Sequence, residues 1–146
     1  MPRILALLLT LTIAGTALPL AAAPAWPGTE NRAPALGGHD PVAYFRSGAM
    51  MGTNAFIVVY EGTTFYFANA ANRDAFAAAP AQYLPQFGGY CAWAASQGRL
   101  SAPDPKLATI VDGKLYLNCS KVAEDKWRAD VPGNIAKGAA FWASQK

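Results

Sequence analysis

Two stretches of the chain carry the residue pattern of β-hairpins. Phe56 to Tyr60 and Thr63 to Phe67 are β-branched and aromatic runs on either side of Glu61-Gly62, as expected of paired strands around a tight turn. Ile110-Val111 and Lys114-Leu115-Tyr116-Leu117 flank Asp112-Gly113, a dipeptide that readily takes the positive φ angles of a two-residue hairpin loop. Elsewhere the apolar residues fall at helical spacing. Asp40 as N-cap and Pro41 at the first helical position predict a short apolar helix through Val42, Ala43, Tyr44 and Phe45 that ends by Ser47-Gly48. Asn69 or Asn72 caps a helix carrying Arg73, Asp74 and Phe76, stopped by Pro80. A third short helix is entered through Gly88-Gly89. Ser120 caps a fourth, in which Ala123, Trp127 and Val131 recur every four residues until Pro132-Gly133 breaks it. A last helix sets Ile135, Ala139 and Trp142 on one face. The predicted fold class is therefore α+β: a small antiparallel sheet from two hairpins, packed with about five short helices.

The N-terminus stands apart from this pattern. Met1-Pro2-Arg3 leads into an apolar run closed by small residues, the arrangement of a secretory signal peptide. Ala23-Pro24-Ala25 fits the small-x-small rule for cleavage before Trp26. The run is just long enough to span a bilayer, but Pro19 and the Ala-rich end argue against a stable anchor. The expected organisation is a signal peptide over 1–25, a Pro/Gly/Ala-rich flexible lead-in over 26–37, and one domain over 38–146. The mature protein is placed in the periplasm or secreted, with no membrane span after cleavage.

Composition narrows the function classes. The chain has 146 residues, 12 Lys and Arg against 9 Asp and Glu, and a net charge of +3. That charge is small and evenly spread, without the basic stripe of a nucleic-acid-binding surface. There is no Gly-x-Gly-x-x-Gly or Walker-type loop, and a single His, so nucleotide enzymes and His-rich metal hydrolases are not expected.

The chemistry-bearing residues are few. Cys91 follows Gly88-Gly89 at the predicted start of a helix, where free N–H groups and the dipole would lower its pKa below the usual value of about 8.5. Cys119 is the second cysteine, and two cysteines in an exported protein often pair. A Cys91–Cys119 disulfide would close a loop of about 28 residues and stabilise the fold by roughly 3 kcal/mol. His39 could serve as a metal ligand or as a base toward Cys91. Met50 and Met51 add two thioethers, and soft sulfur with imidazole would suit copper(I). A Cys91–His39–Asp40 nucleophilic set is disfavoured, because an N-cap carboxylate is already occupied by backbone donors. There is no Cys-x-x-Cys, and Tyr90 and Trp93 flank the thiol as core aromatics or as a shield. Arg73-Asp74 reads as an ion pair.

A run of motifs resembles the YHS-domain family, specifically its secreted single-domain bacterial branch. They are Gly38-His39-Asp40-Pro41-Val42-Ala43-Tyr44-Phe45, Tyr66-Phe67 with Arg73-Asp74 and Phe76, Pro80-x-x-Tyr83, Gly88-Gly89-Tyr90-Cys91-Ala92, and Asp112 to Asn118. The resemblance covers about residues 35 to 145, and it implies an α+β fold and metal binding by association. Ala68 and Asn72 stand where the metal-associated form has two cysteines, so that two-thiolate site is absent. Some members of the branch carry selenocysteine in the Gly-Gly-Tyr-Cys position, which implies chemistry at Cys91. The position of Cys119 is usually not cysteine in the family, which weighs against a family-wide disulfide.

Two function classes follow. The first is a non-catalytic exported module that binds a soft metal such as copper at Cys91, with His39 or a Met as second ligand. The second is a thiol redox protein in which Cys91 cycles with a small thiol or disulfide partner, with or without Cys119. A domain merely stapled by the two cysteines is the plainer possibility, and enzymatic activity is not favoured.

Overall fold

The computed structural model describes residues 25–146, so the expected signal peptide lies outside the described residues but for Ala25. Strand β1 (Thr53–Tyr60) pairs antiparallel with β2 (Thr63–Phe67), and β3 (Asp104–Val111) with β4 (Lys114–Asn118). Both turns use an acidic residue and a glycine at positive φ, with Glu61 at 49° and Gly62 at 77°, Asp112 at 49° and Gly113 at 71°. Two consecutive positive φ angles match the right-handed twist of the flanking strands. β1 and β3 each begin earlier than the apolar runs suggest, because an irregularity in register lets Thr53 pair with Phe67 and Asp104 with Asn118.

The hairpins do not merge into the single sheet expected. They form two separate two-stranded sheets. The outer edge of β4 is already taken: Gln86 N–H donates to Leu115 O at 2.8 Å, and Cys91 forms a parallel bridge with Leu117. A strand whose free groups are satisfied by a passing loop has no edge left for another strand.

Among the described residues, five α-helices surround the hairpins: α1 (Ala70–Ala78), α2 (Pro80–Tyr83), α3 (Ala92–Ser96), α4 (Lys121–Arg128) and α5 (Val131–Ala143). Asn69 caps α1 by accepting from Asn72 N–H, and Ser120 caps α4 by accepting from Ala123 N–H. The expected helix after Asp40 is a single 3-10 turn, Ala43–Phe45. Pro132-Gly133 does not terminate α4, which has ended at Arg128. Both residues sit in the first turn of α5, where Asp130 accepts from Gly133 N–H and proline lacks only an N–H that has no helical partner. The buried residues of α5 are Asn134 and Gly138, with Ile135 and Trp142 partly buried against the core, while Ala139 is exposed. Gly138 is needed there because a Cβ would lie 2.9 Å from the Phe87 ring.

β4 divides two cores. Leu115 and Leu117 point into one with Phe65, Phe67, Phe76, Val42 and Leu36. Tyr116, between them in sequence, points into the other with Phe87, Ala92, Ala95 and Trp127. Successive strand residues face opposite ways, so one five-residue strand anchors both. In the first core Phe76 sits 5.1 Å from both Phe65 and Phe67, ring centre to ring centre. The lead-in contributes too. Trp26 meets Phe65 edge-on at 5.4 Å, and Ala35 and Leu36 are buried, so the lead-in is packed at both ends and exposed at Gly28, from Glu30 to Ala33, and at Gly37. Among the described residues no helix is long and apolar enough to cross a membrane.

Candidate dithiol site

The two cysteines meet where the second core ends. Cys91 is the N-cap residue of α3, held by its N–H to Ser101 O at 2.9 Å and by its bridge to Leu117. Cys119 follows β4 directly and precedes the Ser120 cap of α4. Their Sγ atoms are 2.7 Å apart, the Cys91 thiol donating toward Cys119, and both are free thiols in this structure. Cys119 N–H in turn donates to Cys91 Sγ at 3.1 Å. Ala94 and Ala123 pack around Cys91, and Trp93 and Cys119 lie partly buried against them.

Asn118 braces this arrangement. It is fully buried, its Oδ1 accepts from Trp93 N–H at 3.0 Å, and the same oxygen lies 3.9 Å from Cys91 Sγ. The Trp93 donor fixes which way the amide faces, because the flipped amide would oppose two donors. Nδ2 of Asn118 is left buried with no partner among the described residues. A polar residue closing an apolar strand next to a cysteine is the one signal in the sequence that could have revealed this role, which the reading of the motifs missed.

The expected low pKa of Cys91 is not found. Burial pushes the thiol up to about 11, and the hydrogen bond with Cys119 adds to the rise. N–H groups of Ala94 and Cys119 oppose the shift without overcoming it. Desolvation disfavours the charged thiolate, and α3 has only five residues with which to offset it.

Among the described residues the other candidate ligands make no hydrogen bond to either cysteine. His39 bridges Met51 through the backbone, and its Nδ1 contacts Leu36 O at 3.0 Å. Met50 and Met51 are 43% and 56% exposed. None of the three belongs to the cluster of side chains packed around Cys91. Among the described residues no three His, Cys, Asp or Glu side chains are grouped to hold a metal ion.

Asp40, expected to cap a helix, does more than that. It is fully buried. Oδ1 accepts from Val42 and Ala43 N–H, at 2.8 and 3.1 Å. Oδ2 accepts from Ala68 N–H at 2.8 Å and from Asn72 Nδ2 at 2.7 Å, while Arg46 donates to Asn72 Oδ1 at 2.7 Å. Ala68 and Asn72 are the two positions at which the resemblance would place cysteines. Here both donate to one carboxylate, and the place is a structural hub. Arg73 and Asp74 do form an ion pair, at 2.9 Å and exposed. An open groove lined by Trp26, Glu61, Leu84, Phe87 and Trp142 includes neither cysteine.

No family model, no curated protein and no solved structure matches the chain.

Proposed function

We propose that this chain is an exported YHS-like domain whose working part is the Cys91–Cys119 dithiol, which cycles with its disulfide as a thiol redox module. The observation that carries the reading is the approach of the two sulfurs, 2.7 Å apart, with one cysteine fully buried and the other half-buried. A pair that faces inward on one side and outward on the other suits exchange better than a buried staple, since exposed disulfides are the labile ones. The reading supposes export, as the N-terminal residues suggest, into a compartment where disulfides can form and persist. Soft-metal binding, the other function considered, is less well supported, because the partners of the Cys91 sulfur are Asn118 and Cys119 while the His39 ring contacts Leu36 O.

The test is a redox titration of the mature protein in glutathione buffers, with alkylation and intact mass to count free thiols and elemental analysis of the same sample. A reversible two-electron transition well above about −300 mV supports the reading. A potential below that value makes the pair a staple. Stoichiometric copper that protects both thiols and is lost in Cys91→Ser would return the function to metal binding.

A further inference from the structure

The dithiol reading leaves open which sulfur meets the partner, and the sequence pointed to Cys91. The structure arranges the pair the other way round. Cys91 has no exposed surface, being enclosed by Ala94, Ala123, Asn118 and Cys119. Cys119 keeps some exposure, at the junction between β4 and α4. We infer that Cys119 is the sulfur that attacks an external disulfide and that Cys91 is the buried resolving sulfur, so that exchange runs from the surface inwards.

Cys119 gives its proton to solvent and attacks one sulfur of a partner R–S–S–R, forming Cys119–S–S–R and expelling RS⁻, which takes up a proton. Cys91 Sγ, already facing Cys119 Sγ, attacks that sulfur, and its proton leaves with the second RS⁻. Two protein thiols and one external disulfide become one protein disulfide and two RSH, and two electrons pass to the partner. In the reverse direction Cys91 leaves as a thiolate, and the N–H of Cys119, 3.1 Å from its sulfur, is placed to receive it. Asn118 is a positioning residue here: by holding Trp93 N–H it fixes the start of α3, and with it the direction of the Cys91 side chain.

The inference rests on the dithiol reading, and one experiment separates the two. Reduced wild type, Cys91→Ala and Cys119→Ala are each treated with the aromatic disulfide DTNB, release of its thiolate is followed, and early wild-type samples are quenched in acid for peptide mapping. Cys91→Ala should form a stable mixed disulfide at close to the wild-type initial rate. Cys119→Ala should react roughly tenfold or more slowly, as a buried thiol does. Wild type should release two equivalents, with the transient adduct on Cys119. An adduct on Cys91 followed by ring closure, or equal rates in the two variants, overturns the assignment and leaves the couple intact. Wild type that stays doubly labelled and never closes the disulfide overturns the couple itself. The mapping of wild type needs no variant, so a misfolded substitution does not spoil the test.

Discussion

Asp40→Asn is the substitution whose effect the structure specifies most closely. Asparagine fits the same space and keeps Oδ1 against Val42 and Ala43 N–H. It sets an NH2 where Oδ2 received Ala68 N–H and Asn72 Nδ2. Turning the new amide over only moves the conflict to the other two donors. Turning Asn72 over would oppose its NH2 to Arg46, which now donates to Asn72 Oδ1. Two buried donors therefore lose their acceptor in any arrangement, at roughly 1–3 kcal/mol each. Relaxation absorbs part of this, so a loss of about 3 kcal/mol is expected, a large share of the roughly 5–15 kcal/mol that holds a domain folded. The double variant Asp40→Asn/Asn72→Asp exchanges donor and acceptor between the two positions. Their hydrogen bond re-forms in the opposite direction and Arg46 gains a carboxylate, leaving only Ala68 N–H unmatched. It should recover roughly 1 kcal/mol or more, as neighbours that share a hydrogen bond are not additive. Urea unfolding of the oxidised protein, followed by far-ultraviolet circular dichroism and tryptophan fluorescence, reads all four corners of the cycle. A single variant within about 1 kcal/mol of wild type, or a double variant less stable than Asp40→Asn, would refute the reasoning.

Reduction of the oxidised protein should remove roughly 3 kcal/mol, the contribution of closing the loop between Cys91 and Cys119, and lower Tm by on the order of 10 °C in calorimetry. Gly52→Ala should destabilise by about 3 kcal/mol or abolish folding, because the added Cβ would lie 2.5–2.7 Å from backbone atoms of Tyr66 and Phe67, which cannot move aside as a side chain would; soluble yield and urea midpoint report it. The reduced protein should lose stability as pH rises from about 9 to about 11. The thiol of Cys91 is pushed up from 9.0 to about 11 on folding, so the unfolded chain gives up its proton first and is favoured across that window. Urea midpoints measured in that range should fall more steeply for the reduced form than for Cys91→Ala, in which Tyr44, Tyr90 and Tyr116, also raised by burial, leave a smaller decline.

Much of the fold was legible along the chain, because it is set by residues close in sequence. The hairpin turns follow from Glu61-Gly62 and Asp112-Gly113, whose backbone angles depend on two residues alone. The caps at Asn69 and Ser120 follow from a side chain reaching an N–H three residues on. The α+β class and four of the five α-helices were within reach for the same reason; α2 was not read, and the helix expected after Asp40 is a 3-10 turn. Tertiary structure decided what depends on residues far apart. Nothing local says that the segment from Gln86 to Cys91 occupies the edge of β4 and closes that edge to the other hairpin. The same contact buries Cys91, so that desolvation outweighs a short helix and the thiol pKa rises where sequence reasoning expected a fall. The local half of the Asp40 role, its turn with Val42 and Ala43, was visible. Its other oxygen finds Ala68 and Asn72, 28 and 32 residues away, and only the packed chain brings them there. The sequence by itself determined which residues could do chemistry; folding determined which of them meet, since a sulfur's reactivity is set by its burial and its neighbours.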